Sequence, residues 1–345
     1  MRPLHPLDFI FLNLEKRQQP MHVGGLFLFE LPKDASATFV HDLVEDIRQS
    51  KSIPVPPFNN QLNGLFWGED NEFDIDHHFS HIALPKPGRI RELLVYISQQ
   101  HSSLIDRAKP LWTCDIIEGI EGNRFAMYCK IHHAMVDGVA GMRLIEKSLS
   151  KDPNEKHVVP LWCVESKRSK NPKAVASTKL KGLMKGIKSQ LEVTPKVLQE
   201  LSQTLFKERG KNPDYVSSFQ APPSMLNQRV SSSRRFAAQS FELSRFRNIA
   251  KSLGVTLNDV VLAICSGALR DYLIVHDSLP KKPLIAMVPA SLRTDDSTDG
   301  NQITMILANL ATHVEDPLER LEIIRRSVQN SKQRFSRMTS SEILN

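Results

Sequence analysis

The segment His132-His133-Ala134-Met135-Val136-Asp137-Gly138 holds the residues best suited to chemistry in this chain. An imidazole titrates near neutral pH and can take a proton from a hydroxyl. The apolar run 125–131 before it reads as a strand, and the residues from Gly138 onward read as a helix. Loops at strand ends commonly carry catalytic groups. Asp137 reads as a residue that fixes the turn by pairing with an arginine, Arg235 or Arg293, rather than as a nucleophile. Gly138 permits close backbone approach or positive φ. His132 reads as orienting the loop or contacting substrate, with plain packing an equal reading.

Other clusters invite chemistry less strongly. His77-His78 repeats the doublet, but no Asp-Gly follows it, so no catalysis is assigned there. Asp74, Asp76 and His81 lie near it and raise the thought of a metal, yet metal sites need a better-defined ligand set. No metal is therefore assigned. Asn258 precedes an apolar run, which is a helix N-cap signal.

The positioning elements follow from periodicity. A strand is expected at 21–31 and a helix at 38–50, where Phe39, Leu43 and Ile47 recur at helical spacing. The proline-rich stretch 52–64 reads as irregular, and 89–107 as an amphipathic helix. Strands at 112–118 and 125–131 are joined by a turn at 118–123. After Gly138, Val139, Met142, Ile145 and Leu149 share a helix face. From 234 a fresh pattern starts: strand 234–243, helix 244–254, helix 256–276, strands 283–293 and 301–310, and helix 316–335. The fold class is α/β. The expected domains are 1–150 and 234–345, joined by a basic linker at 151–233 rich in Lys, Ser and Pro. Within the linker, 178–191 reads as a helix with Leu180, Leu183, Met184, Ile187 and Leu191 on one stripe and lysines elsewhere. It packs on the protein or lies on a lipid surface.

Composition narrows the classes. With 41% hydrophobic and 24% charged residues, the 345-residue chain is a folded protein, long enough for two domains. A net charge of +7 favours anionic partners such as nucleic acid, lipid head groups or a phosphorylated small molecule, or simply aids solubility. The four cysteines form no CxxC pair, and Cys129 and Cys265 lie in apolar runs where buried thiols are usual. A reducing, cytoplasmic setting follows. No signal peptide and no bilayer-spanning stretch is read, so membrane contact is expected to be peripheral.

The HHxxxDG motif is shared by CoA-dependent acyltransferases and peptide-synthetase condensation domains. Further segments resemble the bacterial wax ester synthase/diacylglycerol acyltransferase family: LHPLDFIFLNLEKRQQPMHVGGL at the start, Pro110-Leu111-Trp112, Asn258-Asp259-Val260-Val261-Leu262, and Val288-Pro289-Ala290-Ser291-Leu292-Arg293. The match covers essentially the whole chain and is specific in combination. It implies two α/β sandwich domains like those of chloramphenicol acetyltransferase, with a tunnel at their interface. It also implies an incomplete second domain, because family members continue past Asn345 to an Asn-Val-Pro-Gly segment. The implied reaction moves a long-chain acyl group from acyl-CoA, a substrate rather than a cofactor, to a fatty alcohol or diacylglycerol. His133 would be the base and Asn258 an oxyanion donor, with no acyl-enzyme. Pro110, Leu111 and Trp112 would support the tunnel wall, Asp259 and Arg293 would be structural, and Arg234 and Arg235 could meet a CoA phosphate. The implied setting is cytoplasmic, with room for peripheral contact at the inner membrane or lipid inclusions, and without nucleic acid. Three alternatives stand beside this. One is a condensation domain. Another is a fragment that binds lipid without turnover. The third is a chelator-sensitive hydrolase built on His132, His133 and Asp137.

Overall fold

A computed structural model describes residues 1–4, 6–49, 53–136, 138–152, 155, 159–164, 216, 220–291 and 303–337. The chain divides into two compact units. The first is Met1–Arg168 with Val230–Ala238, and the second is Ser169–Arg229 with Gln239–Asn345.

The first unit opens with β1 (Arg2–Pro3), α1 (Pro6–Leu14), β2 (His22–Glu30) and α2 (Phe39–Gln49). A short hairpin follows, β3 (Asn60–Asn63) and β4 (Phe66–Glu69), then α3 (Ile75–His78), β5 (Phe79–Ala83) and α4 (Ile90–Ser102). The unit continues through β6 (Trp112–Ile120), β7 (Arg124–His132) and α5 (Gly138–Ser148). The main sheet has the order β2-β7-β6-β5, with β5 parallel to β6 and the other pairs antiparallel. Alternation along β7 assigns its two faces. Phe125, Cys129 and Ile131 enter a core with Val40 and Val44 of α2 and Leu144 and Ile145 of α5. Ala126 and Tyr128 enter a second core with Leu93 and Ile97 of α4. The sheet is thus covered by helices on both sides, and β7 lies at its centre. Gly122 and Asn123 take φ of 78° and 56° and reverse the chain between β6 and β7. Gly24 of β2 instead makes room for a neighbour, since a Cβ there would stand 2.7 Å from the Tyr128 hydroxyl.

In the second unit, α6 (Leu243–Leu253) ends at Gly254 in the left-handed region, with φ 63°. Next come α7 (Leu257–Val275), β8 (Ile285–Ser291), β9 (Ile303–Asn309) and α8 (Pro317–Arg337). Thr256 caps α7 and closes a capping box with Asp259. β8 and β9 pair antiparallel, and Ile306 and Ala308 pack with Ile324 and Val328 of α8.

Several expectations change. The stretch read as irregular contains β3 and its hairpin with β4, and α1, α3 and β5 are additions to the expected elements. In α2 the fully buried residues are Val40 and Val44, one position beyond Phe39 and Leu43, which are less deeply covered. Helix α4 ends at Ser102 rather than near residue 107. Ser98 and Ser102 return hydroxyl bonds to Leu94 O and Ser98 O, which weakens a helix, and Lys130 Nζ takes the carbonyls of Gln100 and Ser103. In α5 the buried face is Leu144 and Ile145, while Met142 and Leu149 are exposed. Residues 234–242 form no strand in the structure. Cys265 is exposed, whereas Cys129 is buried with its Sγ 3.2 Å from that of Cys114. The Lys-rich segment 178–191 lies outside the described residues.

Candidate active site

His132 ends β7 and His133 opens the turn after it, and the two are held very differently. His132 is 1% exposed. Its backbone N–H donates to Leu111 O at 3.0 Å, so the Pro110-Leu111-Trp112 segment supports it directly. Its Nδ1 accepts the Ala134 N–H at 3.0 Å. A nitrogen that accepts carries no proton, so the neutral ring carries its proton on Nε2. That Nε2 faces Oε1 of Glu15 at 3.4 Å.

His133 is half-buried. Its backbone N–H donates to Met21 O at 2.9 Å. Its ring stacks on Phe11 of α1, with centroids 5.1 Å apart and 16° between planes. The imidazole is thus oriented by an aromatic face without being sealed by it.

Nothing in the sequence singles out Glu15, yet it is the hub beneath this loop. Its side chain is 2% exposed. Oε1 accepts the Met21 N–H at 3.1 Å, and Oε2 accepts from Arg107 Nε and Nη2 at 3.2 and 2.9 Å. Burial pushes this carboxyl up, but the bonds from His132, Met21 and Arg107 outweigh it and bring the pKa down to about 2. The one available hint is a charge at the end of the first apolar run, and nothing local marks it as buried.

The remaining candidates are placed as follows. Gly138 is the first residue of α5, while Asp137 and Arg293 lie outside the described residues. Pro110, Leu111 and Trp112 are buried, and the Trp112 indole donates to Phe58 O at 2.9 Å. Asn258 is exposed in the first turn of α7; it is not the N-cap, because Thr256 takes that position. Asp259 is 3% exposed and accepts from both the backbone and the hydroxyl of Thr256. The Arg234 guanidinium donates to the carbonyls of Ser231, Ser233 and Gln18, and Arg235 is exposed. His78 donates its Nδ1–H to Trp112 O and stacks against both Phe73 and Trp112. Among the described residues, no three His, Cys, Asp or Glu side chains are grouped to hold a metal. Nor is any single described helix long and apolar enough to cross a membrane.

A helix-covered sheet that delivers a histidine doublet into a loop opening a helix defines the class of HHxxxDG α/β acyltransferases. Residues 4–261 match the wax ester synthase/diacylglycerol acyltransferase catalytic domain, and residues 299–345 match the C-terminal domain of the same group. The chain belongs to the wax ester synthase/diacylglycerol acyltransferase family and is an O-acyltransferase. It is 78% identical to the O-acyltransferase WSD of Acinetobacter baylyi, over 100% of this chain and 75% of that protein. The solved wax ester synthase/diacylglycerol acyltransferase of Marinobacter aquaeolei VT8 is 41% identical, with a TM-score of 0.77, over 100% of this chain and 74% of that one. The first condensation domain of the CDA synthetase is 11% identical with a TM-score of 0.53, over 99% of this chain and 76% of that one, a likeness of fold alone.

Proposed function

We propose that this protein transfers a long-chain acyl group from acyl-CoA to the hydroxyl of a fatty alcohol or diacylglycerol, with His133 as the general base. The family membership supports the reaction class. The observation that carries the choice of base is the contrast within the doublet. His132 is sealed, with Nδ1 engaged by a backbone N–H and Nε2 facing a buried carboxylate. His133 is half-buried, with its backbone N–H held by Met21 O and its ring stacked on Phe11.

The step balances without an acyl-enzyme. His133 takes the hydroxyl proton as the alcohol oxygen bonds to the thioester carbonyl carbon. The tetrahedral oxyanion collapses, the C–S bond breaks, and the CoA thiolate leaves. A thiolate is a good leaving group at neutral pH because thiol pKa values are about 8.5. The imidazolium then returns its proton to the thiolate or to water. Asn258, exposed in the first turn of α7, is proposed to donate to the oxyanion. Peripheral contact with a membrane or lipid inclusion fits lipid substrates and the net charge of +7.

The test is ester formation and CoA release from palmitoyl-CoA and hexadecanol. His133→Ala should lower kcat by about 10²–10⁴-fold with folding intact, the usual contribution of a positioned base. A folded His133→Ala protein with undiminished turnover would remove His133 from the role.

A further inference from the structure

Three contacts around His133 converge on Glu15, two of them through its side chain and one through its backbone N–H. Met21 holds the His133 N–H through its carbonyl, and the N–H of the same Met21 is held by Glu15 Oε1 at 3.1 Å. His132 holds the Ala134 N–H through Nδ1, and its opposite nitrogen faces the same Oε1 at 3.4 Å. Phe11 stacks on the His133 ring, and its carbonyl accepts the Glu15 N–H at 3.2 Å. The peptide before His133, the peptide after it and the ring beneath it therefore all trace back to Glu15.

The carboxylate is chemically suited to this. It has no proton to donate, so Oε1 can accept from the Met21 N–H while facing the His132 Nε2, and Oε2 can accept from Arg107. It also selects a tautomer. An imidazole with its proton on Nε2 points that proton at the carboxylate and leaves Nδ1 bare for Ala134. The opposite tautomer would set a lone pair against a carboxylate and an N–H against an N–H. Charge-assisted bonds in a buried setting are strong enough to hold such a choice. Oε2 is engaged separately by Arg107, whose side chain is 42% exposed and also reaches Leu12 O at 2.6 Å. The two oxygens thus divide the work: one serves the loop, and the other anchors the end of α1 to the surface arginine.

We infer that Glu15 is a positioning residue for His133, holding the base from the opposite end of the sequence through His132 and Met21. The inference rests on His133 being the base. Glu15 touches no substrate, and its role is to keep the His133 imidazole where a hydroxyl proton can be taken. Misplacing a catalytic group by about 1 Å can cost on the order of 10²-fold in rate.

The experiment uses the full chain and three variants: Glu15→Gln, Arg107→Ala and His133→Ala. Steady-state ester formation from palmitoyl-CoA and hexadecanol is measured for each, beside thermal unfolding. In Glu15→Gln, kcat should fall by about 10- to 100-fold with KM for palmitoyl-CoA nearly unchanged. Arg107→Ala, which spares the Oε1 contacts, should keep most of kcat. Equal losses in Glu15→Gln and Arg107→Ala would show only a structural ion pair and overturn the inference. Wild-type kcat in Glu15→Gln beside a dead His133→Ala would overturn it alone, leaving the base in place. A fully active His133→Ala would overturn the base reading and this inference together. A second readout stands independent of turnover. Nitrogen-15 histidine spectra of the wild-type protein, assigned with His132→Gln, should show His132 protonated on Nε2 and bare at Nδ1. The opposite tautomer would overturn the inference even if Glu15→Gln failed to fold.

Discussion

At the residue scale, the polar groups on the α4 side of β7 are as constrained as those of the His132-His133 loop. His22 is 6% exposed, and its Nε2 meets His101 O at 3.0 Å. Burial is the main reason its pKa falls, to about 4, with only partial compensation from the His101 carbonyl. A histidine held neutral in the fold but free to charge when unfolded favours folding above its unfolded pKa of about 6.5. That contribution is lost as pH falls through 6.5 toward 4, because the unfolded chain then binds the extra proton. Thermal unfolding followed between pH 7 and pH 4 should therefore show a falling Tm, and His22→Gln should flatten that slope. An unchanged slope in a folded His22→Gln protein would assign the pH dependence elsewhere. The His132-His133 doublet and its neighbours are legible in the sequence because their spacing is local. Glu15 is not, since its partners Met21, Arg107 and His132 meet it only after the sheet closes.

Elements are legible where period, capping or turn residues mark them along the chain. Helix α2, the β6–β7 hairpin and helices α6, α7 and α8 carry clean period or capping signals, and the structure keeps them within a few residues. Helix α1 escapes such a reading because PLDFIFLNL is apolar nearly all round and offers no stripe. Strands β3 and β4 escape it because NQLN and FWGE are short and, for β3, polar. Periodicity misplaces the end of α4 because what stops that helix is tertiary. Lys130 reaches from β7, 4% exposed, and donates to Gln100 O and Ser103 O at 2.9 and 3.0 Å. Burial lowers its pKa, and the nearby Asp115 and Glu15 carboxylates oppose that shift. Lys130→Met should leave Ser103 O without its Lys130 donor and Gln100 O with the Ser103 N–H alone, and lower stability by about 1–3 kcal/mol. Urea unfolding would read the loss, and amide exchange should quicken in the last turn of α4 and not in α2. Equal protection in both helices would argue against the cap.

At the scale of the whole molecule, the chain leaves the first unit after Arg168, returns to it for Val230–Ala238 and leaves again. The returning strap lies along α4, where Arg234 and Phe236 donate their N–H groups to Ser102 Oγ and Ser98 Oγ at 3.0 and 2.9 Å. The Arg234 guanidinium is occupied by three carbonyls, one of them Gln18 O in the turn that follows Glu15. Arg235 is the exposed neighbour on the same strap. The two arginines should thus separate by function. Arg234→Ala should lower stability by about 1–2 kcal/mol and leave KM for acyl-CoA nearly unchanged. Arg235→Ala should leave stability alone and raise KM for palmitoyl-CoA, but not for a palmitoyl-pantetheine thioester that lacks the nucleotide phosphates. The net charge of +7 acts in the same direction over longer range. Raising ionic strength from about 0.01 M to 0.15 M shortens the screening length from about 30 Å to 8 Å. KM for the CoA ester should then rise while that for the pantetheine ester stays flat. If Arg235→Ala and salt both left the ratio of the two KM values unchanged, phosphate recognition would not lie on this strap, and the positive charge would serve solubility alone.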